Sequence, residues 1–561
     1  MLSSEDSCVA GRIGRFLASP WALLLALVLA FFLNSGSLPL TDVDEGAFSE
    51  ATREMRASGN WISPTLNGRP RHDKPILIYW AQAASVALLG EREIGFRLPS
   101  LLAALAWLAS LYVFCRRQLG HDVAMRACLV MVLSVQVGVI AKAAIADALL
   151  NLFICVSLFF VYAYLQACRQ AMSSPSRQSA LLLGLYASIG LGFLTKGPVA
   201  VFFPLVIGAG FALSTGALRP FLRGLFYGWG WLLFALIVVP WHVLVYLDQG
   251  DAFFRGFYLK HNVDRYASTF EGHGGRWWYY LVVLPIVLMP FTGWLLTVLP
   301  KLWRAWRGEG MGAGRRPATE NALLDRFLGL WFAVVFVFFT FSGTQLPHYL
   351  LYGCTPLFIL LARYPVDRER RVMAYLPLLL FAVLLAALPW LIDVAGPQTR
   401  RVYEQTVLQG LSQAFDPLLR GLLCLLPVLV LLLFAWRRVP AWQGLVLSGV
   451  LLVGVLQGML LPRILSVTQG PVGQLAVFAR TLPGDALVSY RVYLPSFSVY
   501  RQAVTPVRTP KEGEYVLTRE DKLPDLRAEI APLQMVEVER AAFLLIGQVR
   551  SPAGPSGQTT Q

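Results

Sequence analysis

The sequence predicts an all-α polytopic membrane protein with a small α/β domain at its C-terminal end. Three observations predict it. Of the 561 residues, 56% are hydrophobic and only 14% are charged, whereas a soluble domain carries about a quarter charged residues. Apolar runs of spanning length recur from residue 20 to residue 461, and the mean hydropathy is +0.57. Beyond residue 461 the pattern changes to short alternating runs with turn residues between them, as strands require. The net charge of +15 does not gather into the stripe or tail of a nucleic-acid surface. It is spread over short loops between apolar runs, which is the positive-inside pattern. The seven cysteines form no CxxC pair, so neither a disulfide framework nor a zinc knuckle is indicated.

A spanning helix needs roughly 20 apolar residues. Candidate spans lie at 20–39, 96–115, 122–141, 148–167, 179–195, 198–215, 225–247, 279–300, 325–342, 349–363, 372–393, 418–436 and 441–461. That makes about thirteen, an odd number, which puts the termini on opposite sides. Arg12 and Arg15 precede the first run. A cleaved signal would look similar, but a retained span with residues 1–19 inside is the preferred reading. Loops at Arg116–Arg117, Arg169–Arg177, Arg219–Arg223, Lys301–Arg326, Arg363–Arg371 and Arg437–Arg438 are basic and belong inside,. The outside then receives the long loop 40–95, the turns near Asp147 and Lys196, loop 248–278 and everything after 461. The run at 75–90 is too short to cross, so it is expected to lie in the outer interface with Tyr79 and Trp80 at headgroup level. In the last hundred residues GPVGQLAVFARTL reads as a helix. DALVSYRVYL, SFSVYRQ, EYVLTRE and MVEVERAAFLLIGQV read as strands,. The expected division is a membrane domain over 20–461, an outside α/β domain over 462–550 and a disordered tail over 551–561,.

The most polar part of the N-terminal half is TDVDEGAFSEATREMRASGNWISPTLNGRPRHDKPILIYW, residues 41–80. Carboxylates at its front (Asp42, Asp44, Glu45, Glu50) and cations at its back (Arg69, Arg71, Lys74) suit a site for an anionic substrate. Asp44 sits where an amphipathic helix begins, so a capping role competes with a catalytic one. Asp147, between two spans, has the same two readings. Lys196, in LTKGPVA, falls at a Gly–Pro break and is either a snorkelling lysine or a phosphate-binding cation,. Outside loop residues Lys260, His261 and Arg265, with His348 and Tyr349 in GTQLPHYLL, complete the candidates. Trp277, Trp278, Tyr279 and Tyr280 fit an interfacial belt,. No nucleotide-binding glycine loop occurs, and an outside active face has no cytosolic nucleotide, which points to a lipid-carried donor.

In their order, DVDEGAFSEATREM, DKPILIYW, IADALL, FLTKGPVA, HNVDRY and GTQLPHYLL resemble the lipid-linked-sugar glycosyltransferases of the GT-C superfamily. These are related to protein O-mannosyltransferases, and the bacterial aminoarabinose transferase that modifies lipid A is the nearest type. The resemblance implies a multispan enzyme in the bacterial inner membrane with its active face in the periplasm. It would move a sugar from polyprenyl phosphate to lipid A or another glycoconjugate, with inversion. It implies Asp44 as the catalytic carboxylate with Glu45 beside it, Asp147 as the acid of a later loop, and Lys74, Lys196 and Arg265 as phosphate ligands. Asp42, Tyr79, His348 and Tyr349 are further site candidates. No cofactor is fixed by the resemblance; a divalent metal on Asp73 and His261 is the one option it leaves. The rival reading, from another class, is a flippase for a lipid-linked sugar, but transporters gather charges near the midplane and show repeated halves.

Overall fold

The computed structural model describes residues 4–169, 174–264, 275–307, 320–483 and 486–551. Among them, eight helices are long and apolar enough to cross a bilayer, or eleven spans if each of three bent pairs counts as one. The eight are Glu93–Leu119, Asp147–Arg169, Pro175–Lys196, Gly228–Gln249, Asn321–Thr340, Arg368–Gln398, Pro417–Ala435 and Ala441–Thr468. The bent pairs are Gly11–Leu17 with Pro20–Phe32 (61°), His121–Leu133 with Val135–Lys142 (70°) and Tyr279–Val287 with Thr292–Trp303 (114°). The expected straight span at 279–300 is thus sharply broken, and Pro290 lies at the break, where a helix cannot run on through the residue before a proline. The two other expected spans fold as short helices, Val199–Ser214 and Cys354–Arg363. The first, of 16 residues, is about 24 Å long against a hydrocarbon core of about 30 Å.

Local chemistry sets several helix ends. The side chains of Ser19, Ser174 and Asp416 accept from the backbone N–H of Ala22, Arg177 and Leu419, each satisfying one of the orphan donors of a first turn. At the other end of Pro417–Ala435, Arg371 donates to the carbonyls of Leu433, Phe434, Trp436 and Val439, so a cation caps a helix C-terminus. Gly228–Gln249 presents exposed Leu232, Leu236, Val239 and Val243. An apolar stripe of that kind is stable only against hydrocarbon. One end of the bundle carries Glu93, Asp147 and Lys196; the opposite ends of the same helices carry Arg116, Arg117 and Arg169.

Between the first span and Glu93 lie the helix Asp44–Ser58, a two-residue hairpin and the helix Leu77–Leu89. The hairpin pairs β1 (Thr65–Leu66) with β2 (Arg69–Pro70). Its turn is Asn67–Gly68, both at positive φ, as a tight two-residue hairpin requires.

The C-terminal part builds a four-stranded sheet from β3 (Leu487–Ser489), β4 (Tyr515–Arg519), β5 (Gln534–Ala541) and β6 (Leu544–Arg550), in the order β3-β4-β6-β5. β3 runs parallel to β4, while β4–β6 and β5–β6 are antiparallel. The run MVEVERAAFLLIGQV is therefore a hairpin rather than one strand. SFSVYRQ, expected as a strand, is instead the helix Pro495–Arg501. Pro495 occupies its first turn, where a missing N–H costs nothing, and tertiary packing of Phe497 and Val499 overrides the alternating pattern,. Residues 552–561 of the expected tail lie outside the described residues.

Candidate active site

Asp44 is the first residue of the Asp44–Ser58 helix; the cap position belongs to Val43, which makes no side-chain hydrogen bond. Asp44 is exposed, and among the described residues its carboxylate has no hydrogen bond or ion pair. Its neighbour Glu45 is the opposite case. Glu45 is 3% exposed and its two oxygens accept from Arg97 Nε (2.8 Å) and Nη2 (2.9 Å), Thr41 N and Oγ1 (2.9 Å each) and Ala144 N (2.8 Å). Arg97 donates its remaining protons to the carbonyls of Ser35, Leu38 and Pro39, so all five guanidinium donors are used. Burial by itself raises the Glu45 carboxyl, and the charge and hydrogen bonds of Arg97 more than offset it, leaving the group below its ordinary value. Glu45 therefore anchors the helix start, and Asp44 is presented beside it.

Asp42 is tied elsewhere. Its carboxylate accepts from Ser496 N at 2.8 Å and from the Ser496 hydroxyl. Burial pushes this carboxyl up to about 6 in spite of those two bonds.

A basic cluster follows. Asp73 lies between Arg71 Nη2 (3.0 Å) and Lys74 Nζ (2.9 Å). Arg71 also donates from Nε to the Tyr79 hydroxyl at 2.8 Å and covers the Phe48 ring at 5.1 Å. Tyr79 is fully buried, with its hydroxyl pushed up to about 12 by that burial. Tyr79 does not face outward as an interfacial anchor would: its ring packs on Phe48 and its hydroxyl accepts from Arg71. Trp80 is the more exposed of the two and donates its indole N–H to the Trp61 carbonyl.

The third group joins three distant segments. Lys196 Nζ lies 2.7 Å from Asp147 Oδ1 and 2.8 Å from the Tyr352 hydroxyl, which in turn donates to Asp147. His348 Nε2 stands 3.6 Å from Asp147, and the ammonium lies 4.9 Å from the Tyr349 ring. Asp147 thus holds Lys196 at the end of one helix against the start of its antiparallel neighbour. This group abuts the first loop, because Ala144, three residues before Asp147, donates to Glu45 and accepts from Gln82 Nε2 at 3.0 Å.

Arg265 and the side chain of His261 lie outside the described residues. Asp73, the other expected metal ligand, has cations on both of its oxygens. No group of three or more metal-ligating residues occurs among the described residues.

The fold compares closely with a solved one. The structure of ArnT from Cupriavidus metallidurans bound to undecaprenyl phosphate superposes with a TM-score of 0.74 at 20% identity, covering 94% of this chain and 97% of that one. Residues 73–244 match the family model described as dolichyl-phosphate-mannose-protein mannosyltransferase. The chain shares the fold of that ArnT structure. Two similar proteins are undecaprenyl phosphate-alpha-4-amino-4-deoxy-L-arabinose arabinosyl transferases 2. That of Proteus mirabilis is 29% identical over 62% of this chain and 60% of its own length. That of Pseudomonas fluorescens is 28% identical over 79% of this chain and 76% of its own. The chain thus spans about 60% of the length of the Proteus relative.

Three residues of the candidate site escaped the sequence. Arg97 reads as the flank of a span, since its acceptors lie 52 to 62 positions away. Tyr352 lies three residues after Tyr349, a spacing that puts both on one helical face, and that was the available signal,. Ser496 lies in the helix misread as a strand.

Proposed function

We propose that this protein is an integral inner-membrane glycosyltransferase of the GT-C type that moves 4-amino-4-deoxy-arabinose from undecaprenyl phosphate to a phosphate of lipid A, or of a similar glycoconjugate, on the periplasmic face. The observation that carries this reading is Asp44, whose carboxylate has no hydrogen bond or ion pair among the described residues, at the start of a helix that Glu45 ties to the turn leading into the Asp147–Lys196 pair. The names and fold of the relatives support it. As the bond from sugar C1 to the phosphate oxygen breaks, negative charge grows on the departing polyprenyl phosphate. Lys74 and Lys196, with Arg265, stabilise it by charge-assisted hydrogen bonds. Lys196 uses two of its three ammonium protons on Asp147 and Tyr352, which fixes the direction of the third. Asp147 acts here as the holder of Lys196. The acceptor oxygen attacks C1 from the face opposite the phosphate, so configuration inverts. Asp44 takes the acceptor proton from a hydroxyl, or steadies the cationic sugar when the acceptor is an ionised phosphate. Glu45 and Arg97 keep that carboxylate in place. The charges sit at helix ends, where a transferase needs them at the donor headgroup, and not at the midplane where a flippase would.

The test is transfer of aminoarabinose to lipid A by purified protein in liposomes, read by mass spectrometry. Product should form with the wild-type chain, and Asp44→Asn should lower the rate by roughly 10²- to 10⁴-fold while the protein stays folded. Translocation of the lipid-linked sugar without any product would overturn the proposal in favour of a flippase.

A further inference from the structure

The helix Pro495–Arg501 of the C-terminal domain packs on the first loop, and several of its polar contacts fall close to the site. Ser496, fully buried, gives both its N–H and its hydroxyl to Asp42, two residues before Asp44. Tyr500 accepts from the N–H of Leu40 at 2.7 Å and donates to Glu93 at 3.0 Å. Ser498 donates to Asn67, at the tip of the β1–β2 hairpin, at 3.2 Å. Between them, Val499 is buried in a cluster with Leu40, Val86, Phe96 and Ala144. Ala144 is the residue whose N–H holds Glu45. The approach is so close that a Cβ on Gly46 would meet Asp42 Oδ1 at 2.4 Å and Ser496 N at 2.5 Å. Glycine is required there for lack of space. A domain merely tethered to the bundle needs no such fit; loosely attached domains meet through polar, mobile surfaces.

We infer that Ser496 is a positioning residue for the transferase, holding Asp42 so that the start of the Asp44–Ser58 helix presents Asp44 to the reacting centre. This rests on the role proposed for Asp44. The C-terminal domain then completes the site from behind and touches neither donor nor acceptor. Two anchors fix the helix start from opposite sides: Arg97 of the bundle through Glu45, and Ser496 of the C-terminal domain through Asp42. Loss of either lets the carboxylate wander, and a misplacement of about 1 Å costs on the order of 10²-fold in rate.

The experiment uses the full-length protein with undecaprenyl-phosphate aminoarabinose and lipid A in liposomes. Ser496→Ala should lower kcat by roughly 10- to 100-fold and leave the donor KM within about twofold, since binding groups are untouched. Gly46→Ala should do the same by wedging Asp42 from Ser496. Asp42→Ala should match Ser496→Ala, and the double variant should be no worse than either single one, because both cut the same link. Asp42→Asn keeps the acceptor oxygen for Ser496 N–H and should restore most of the rate. An unchanged kcat in Ser496→Ala, or losses that multiply in the double variant, would overturn the inference. Because Asp44→Asn is assayed in parallel, an active Asp44→Asn variant would instead sink the role of Asp44, and the two failures are told apart.

Discussion

The Glu45–Arg97 region and the Asp147–Lys196 region each bury a carboxylate against a cation, yet they are built differently. In the first, five donors and five acceptor contacts close on one another, and both side chains are at most 5% exposed. In the second, Asp147 is 6% exposed but Lys196 is 13% exposed. Lys196 is held by one carboxylate and one hydroxyl, with aromatic rings rather than carbonyls around it. The first is saturated and its charge is spent inside the protein. The second keeps a proton donor in reserve. Buried ion pairs gain little net stability, but removing one partner is expensive. The difference matches the proposed roles, in which one pair fixes a helix and the other holds a cation for an anionic donor.

The hardest way to break the comparison is Arg97→Ala. It strands Glu45 in the interior and is expected to cost about 3–5 kcal/mol, seen as a lowered unfolding temperature in detergent together with lost activity. Asp147→Asn should behave differently. Folding should persist, while the donor KM rises by roughly tenfold or more as Lys196 loses its charged holder, a hydrogen bond to a charged group being worth about 1.5–3 kcal/mol. Equal loss of melting temperature in both variants would erase the distinction between anchor and site. The mildest test is pH. Burial lifts the folded Asp42 carboxyl to about 6 from its ordinary 3.8, so the folded chain binds this proton more tightly than the unfolded one. Its contribution is fully present below pH 3.8 and is lost as pH rises through about 6,. Hydrogen exchange in the Pro495–Arg501 helix, corrected for intrinsic rates, should be slower at pH 5 than at pH 7, and Asp42→Asn should flatten that difference.

Most spans were legible because a bilayer demands long apolar helices: eleven of the thirteen expected stretches fall on spanning helices or bent pairs, and two fall on shorter helices. What a hydropathy window cannot register is a bend, and so the 114° break at 279–300 was invisible. Asp147 and Lys196 stood out because charge at the end of an apolar run is costly. Their contact also follows from their places at adjoining ends of two consecutive spans. Arg97 hid for the reason that makes it effective: its partners come from a loop folded back over it, and no local pattern announces them. The Pro495–Arg501 helix was misread because seven residues can satisfy period two and period 3.6 at once, and burial against the first loop decided between them,.

The turn from Ala143 to Ala146 has a consequence for how the chain tolerates change. Side chains from three other segments grip it: Glu45 on the Ala144 N–H, Gln82 on the Ala144 carbonyl and Ser100 on the Ile145 carbonyl. Most connections accept insertions because nothing outside measures their length. Here a single added residue would turn the following helix by about 100°, swinging Asp147 away from Lys196 while leaving every span the right length. Natural variation in loop size should therefore collect elsewhere in the molecule and spare these four positions.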